Sequence, residues 1–249
     1  MTLESSICPN ANLTSPPFKL NAILRKRGGA KQSQLFPKLF IGRCCKRSRI
    51  QMRTEFLRPI DGLRLAEEYR ALLRPGESEA VANGSFHRLP RFFYEIGSWE
   101  EAHEIRLAPH FMLAELMLVD CREARLLLSQ FPHYVPCAIL LLARFLEDVR
   151  RKVDAPVFIS ANGGYRSPAH QIGGAKSIHA WGTAANIYRI GDTFLCDTKS
   201  IEKYRTTAAS LSPAVFVRPF GREKEQTSDH LHIDLGYARL TPREYSEAS

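Results

Sequence analysis

The sequence predicts an α+β fold, a small sheet with helices packed on it, and three observations carry that prediction. Ile139, Leu142, Leu146, Val149 and Val153 recur at alternating steps of three and four, the period of one helix face. Short runs with β-branched or alternating apolar residues fall late in the chain, at 156–160, 184–190, 214–217 and 231–235. Helical patterns gather before and between these runs, the order of an α+β chain.

In chain order, 60–73 reads as an amphipathic helix on Leu63, Leu65, Tyr69 and Leu72, stopped by Pro75-Gly76. The stretch 77–106 is less regular, and Phe92, Phe93, Tyr94 and Trp99 are expected to pack it onto the main body as an accessory layer. Helical composition follows over 111–130, then the stronger helix over 136–153, with Pro136 suited to its first turn. The strand at 156–160 opens into the turn Asn162-Gly163-Gly164. A helix over 199–211, with Ile201, Tyr204, Ala208 and Leu211 on one face, separates two of the later strands. No repeat with a period of about 20–50 residues interrupts this order.

The chain has 249 residues, 44% hydrophobic and 24% charged, enough apolar content to bury a core and to exclude disorder throughout. Its formal charge is +9, which by itself suggests a nucleic-acid partner. Position removes that reading: residues 1–52 hold ten Lys/Arg against Glu4 alone, and the remainder balances 25 bases with 25 acids. The basic segment 1–52 is expected to be a disordered extension, with Met52 as an alternative start. Beyond it lie an irregular region at 53–106 and a catalytic domain at 107–249. Cys8, Cys44 and Cys45 fall in the extension and Cys121, Cys137 and Cys196 in the body, neither set at metal-knuckle spacing. Three scattered body cysteines read as free thiols. No apolar run approaches the ~18 residues of a membrane span, and no secretory leader is readable.

Three clusters carry polar groups that a core does not require. Gly164-Tyr165-Arg166-Ser167-Pro168 follows a strand, and its glycine permits a tight turn presenting Arg166 to a carboxylate or oxyanion, or to the loop itself. In Ser177-Ile178-His179-Ala180-Trp181-Gly182, small residues after His179 let the chain run into a buried strand while the imidazole faces a cleft or a structural hydrogen bond. In Asp229-His230-Leu231-His232, strand alternation puts both imidazoles on one face about 7 Å apart, where they can hold or flank one cation.

Together, G-Y-R-S, S-x-H-x-x-G-x-A-x-N and D-H-x-H resemble the zinc D-alanyl-D-alanine carboxypeptidase family, which includes cell-wall DD-peptidases and vancomycin-resistance dipeptidases of Hedgehog-like fold. The resemblance spans roughly 107–236 and implies a small antiparallel sheet with helices packed on it. It implies a Zn²⁺ site of His179, His232 and, where the family has aspartate, Asn186. It further implies Asp229 as general base, His230 flanking the site, Arg166 holding the substrate carbonyl or oxyanion, and Ser177 and Tyr165 positioning substrate. An amide oxygen gives zinc less charge than a carboxylate, and Asp192 would compensate if a turn brought it back. The implied function is hydrolysis of D-alanine-containing peptides of peptidoglycan or its precursors, with a degenerate wall-peptide-binding module as the alternative. The envelope is the implied location, although the unreadable leader leaves the cytoplasm open.

Overall fold

A computed structural model describes residues 57–80 and 84–245, so the basic segment 1–52 and Met52 lie outside the described residues. The chain begins with β1 (Arg58–Asp61), a 3-10 turn at Gly62–Arg64 and α1 (Glu67–Leu73). β2 (Ser78–Ala80), β3 (Phe86–Arg88), β4 (Phe92–Ile96), α2 (Trp99–Glu104), β5 (Arg106–Ala108) and β6 (Phe111–Met112) follow. Next come α3 (Leu113–Met117), α4 (Arg125–Ser129), β7 (His133–Pro136), α5 (Ile139–Val153) and β8 (Val157–Ile159). The last part holds β9 (Ala184–Ile190), β10 (Thr193–Phe194), α6 (Thr198–Ala209), β11 (Phe216–Val217) and β12 (Leu231–Asp234).

Every strand-to-strand pairing among the described residues is antiparallel, in keeping with the α+β expectation. One sheet has the order β1-β4-β7; the other runs β10-β9-β12-β11, with β8 also paired to β9. α5 buries Ile139, Leu142, Leu146 and Val149 in one cluster with Leu116, Ile187, Ile201, Leu231 and Ile233. Removing each such side chain from water stabilises the fold by about 1.5–3 kcal/mol, before the entropy of ordering it is counted. No helix among the described residues is long and apolar enough to cross a membrane.

Several expected elements differ. The single helix over 60–73 is instead a strand, a turn and a shorter helix. Ile60 pairs with Phe93 across β1 and β4, and the Asp61 carboxylate accepts the Leu63 amide to start the turn, so helical residues begin only at Glu67. Leu63 is accordingly exposed. The 111–130 helix breaks into α3 and α4 because the loop after β8 docks between them: Asn162 N donates to Leu118 O at 2.8 Å, and Asp120 N to Asn162 Oδ1 at 3.0 Å. Pro136 ends β7 instead of opening α5.

The accessory layer shares its core with the downstream elements. β4 is the middle strand of its sheet and pairs with β7, while Ile96, Ala102 and Ile105 enter the main cluster. Cys121 and Cys137 are free, as expected of the body cysteines, but Cys196 is disulfide-bonded.

Candidate active site

The turn after β8 is shaped by close packing. A Cβ on Gly164 would stand 2.1 Å from Leu116 O, so only glycine fits. The Gly164 carbonyl there accepts the His179 Nδ1–H at 2.7 Å. That bond selects the tautomer, leaving Nε2 with its lone pair. His179 sits in the single 3-10 turn Ile178–Trp181, anchored by Trp181, which is fully buried and donates Nε1–H to Arg88 O at 2.9 Å. Gly182, at φ +69°, closes the turn and lets the chain enter β9.

The pairing of β9 with β12 sets the second half. Asn186 and His232 are directly opposed, and His232 Nδ1 lies 2.8 Å from Asn186 Oδ1. His232 Nε2 is buried without a hydrogen bond, 3.4 Å from Asp234 Oδ2. The His179 and His232 rings lie edge to face with centroids 5.2 Å apart, and both residues are 2% exposed. Burial first, then the positive charge of Arg166 for His179 and of Arg218 for His232, holds both imidazoles well below the usual histidine range. Both are therefore neutral at pH 7, the protonation state that metal ligation requires.

Arg166 is buried beside this pair and donates Nη2–H to Ser177 Oγ at 3.0 Å. Burial, with the Arg122 and Arg218 guanidiniums nearby, lowers its pKa to about 10, so it remains a cation at neutral pH. At the rim, His230 Nδ1 and Asp229 Oδ1 are 2.6 Å apart, and the His230 ring centroid is 6.5 Å from that of His232, close to the strand spacing expected. The Asp229 side chain is 78% exposed. The bond with His230 holds its carboxyl below the ordinary aspartate range, in the form that accepts a proton.

The fold thus brings His179, His232, Asn186, Arg166 and Ser177 together, with Asp229 and His230 at the edge. Ser177 braces Arg166. The Tyr165 ring goes to the main core, where burial raises its pKa and leaves its hydroxyl unpartnered; the expected substrate contact is corrected accordingly. Asp192 does not return to the site: it is exposed in the turn beyond Ile190, and β9 carries the chain away from Asn186 at about 3.3 Å per residue. Sequence reasoning missed the Gly164 carbonyl, Asp234 and Arg218. A charged residue two places after His232, on the same strand face, signals Asp234; no local pattern marks the other two.

Among the described residues, no three His, Cys, Asp or Glu side chains gather as a metal-binding group. The donor set on offer is two neutral imidazoles and the Asn186 amide oxygen. Zinc accepts imidazole nitrogen and oxygen donors, so the set fits it, with one negative charge fewer than an aspartate would bring. No curated protein and no solved structure matches the chain. The family model described as Peptidase M15 matches residues 109–234, a span that includes both histidines, Asn186, Arg166, Arg218 and Asp229. With half of its length covered by that match, the chain belongs to the peptidase M15 family.

Proposed function

We propose that this protein is a zinc-dependent peptidase that hydrolyses D-alanine-containing peptides of peptidoglycan or its precursors. The observation that supports it most is the buried, neutral His179–His232 pair lying edge to face beside Arg166. His179 and His232 would hold the ion, with Asn186 as a neutral third donor. When bound, zinc would supply a Lewis acid for the scissile carbonyl and lower the pKa of a water toward ~7.

The chain's own residues supply the proton traffic and the charge. Asp229, ionised and oriented through His230, takes the proton of the attacking water and later passes it to the leaving amine. Arg166, fixed by Ser177, donates hydrogen bonds to the carbonyl oxygen as it gains negative charge. Because Arg166 is desolvated before substrate arrives, less solvent reorganisation remains for the reaction step.

Metal analysis and a hydrolysis assay on acetyl-D-alanyl-D-alanine, run on the parent and on His232→Ala, test this function. About one zinc per chain with turnover, both lost in His232→Ala, is the expected result. A metal-free parent that binds the peptide without cutting it would establish the degenerate wall-binding module instead.

A further inference from the structure

Arg218 lies one residue past β11, and its amide donates to His232 O at 3.0 Å, which ties it to the strand carrying a proposed ligand. Its Nε is buried without a hydrogen bond, as is that of Arg166. Among the described residues, neither guanidinium has an ion pair. The nearby acids act on them through space, Asp234 on Arg218 and Glu123 on Arg166, without a direct ion pair. Glu123 accepts Ser167 N at 3.0 Å and Ser167 Oγ at 2.6 Å, Asp229 is paired with His230, and Asp234 accepts Gly236 N at 3.0 Å. Two partly desolvated cations therefore flank a neutral histidine pair with no carboxylate in direct contact with either guanidinium, an arrangement that a bound carboxylate would stabilise.

Arg166 is accounted for by the reacting carbonyl; Arg218 is not. A guanidinium presents a planar fork of N–H donors that matches a carboxylate in two parallel hydrogen bonds. We infer that Arg218 binds the free C-terminal carboxylate of the substrate, which makes the enzyme a carboxypeptidase and not an endopeptidase. This inference rests on the peptidase reading. It requires the scissile bond to lie one residue from the chain end, so that the carbonyl meets Arg166 and the terminal carboxylate meets Arg218.

The test compares acetyl-D-alanyl-D-alanine with its C-terminal amide. Equilibrium binding is measured on zinc-loaded Asp229→Asn protein, in which cleavage is slowed roughly 10²- to 10⁴-fold, and KM and kcat are measured on the otherwise unmodified enzyme. The acid should bind roughly ten- to a hundredfold more tightly than the amide, the range expected of a charge-assisted contact. Arg218→Gln should erase that preference, raise KM for the acid more than it lowers kcat, and leave amide binding unchanged; Arg218→Lys should recover part of the preference. Equal binding of acid and amide, or a preference that survives in Arg218→Gln, would overturn the assignment of Arg218 even if both peptides are cleaved. Hydrolysis of neither peptide by the zinc-loaded parent would count against the peptidase function, while the binding comparison would still decide the role of Arg218.

Discussion

The two sheets treat buried polar groups differently. In the β1-β4-β7 sheet, Asp61 accepts two hydrogen bonds from Arg91, at 2.7 and 2.9 Å, and Tyr134 donates its hydroxyl to Glu95 at 3.2 Å. The one orphaned side-chain atom described on its strands, His133 Nε2, belongs to a ring stacked on Phe131 and kept neutral by burial. Around the β8–β12 sheet, His232 Nε2, Arg189 Nε, Arg218 Nε and the neighbouring Arg166 Nε are all buried without a hydrogen bond. Arg189 is compensated by the Phe158 ring, 3.9 Å below its guanidinium carbon. The other three belong to His232 itself and to the two guanidiniums whose charges act on it. Each unpaired buried polar group costs about 1–3 kcal/mol, so the second sheet gives up stability where a ligand can recover it and the first does not.

Mutations at the rim and at the centre of the site probe that division. Asp229→Asn removes the proton acceptor but no proposed ligand, so turnover should fall roughly 10²- to 10⁴-fold while zinc content stays unchanged. Loss of zinc in this variant would move Asp229 from the rim into the metal set and dissolve the distinction between an exposed base and a buried binding pair. Asn186→Asp is the next largest effect. It places a carboxylate against His232 Nδ1 and should raise zinc affinity roughly tenfold to a hundredfold in a chelator competition. Unchanged affinity would show that residue 186 only orients His232 and lends the ion nothing.

The contrast between the sheets also explains what the sequence could reveal. Residues that repeat a local period were legible: α5 from its three-and-four spacing, β9 to its terminal residues, and the shared face of His230 and His232 from strand alternation. The second half of β1, Ile60 and Asp61, carries a helical pattern because β4 decides its pairing, across more than thirty positions. The break between α3 and α4 likewise depends on Asn162, supplied from forty-two residues downstream of Asp120. At the site, residue types at motif spacing located His179, His232, Arg166 and Asp229. Arg218 is silent because what singles it out is an unpartnered buried Nε and a backbone bond to β12, neither of which leaves a pattern in its neighbours.

The smallest effect tests the holding side of the comparison. Asp61 is buried, and its carboxylate meets the Arg91 guanidinium and the Leu63 amide. The Arg91 hydrogen bonds hold its pKa below the ordinary aspartate value. A depressed folded-state pKa gives stability that is fully present above the unfolded value of about 3.9 and is lost as pH falls through the folded one. Asp61→Asn keeps the shape but weakens charge-assisted bonds, so urea unfolding at pH 7 should show a loss of about 1–2 kcal/mol with peptidase turnover unchanged. The gap between parent and variant should then narrow as pH drops below about 4, because protonation removes from the parent the same charge that the mutation removes. A gap that stays constant with pH would assign the loss to altered packing in the first sheet, and a fall in turnover would show that the two sheets are coupled.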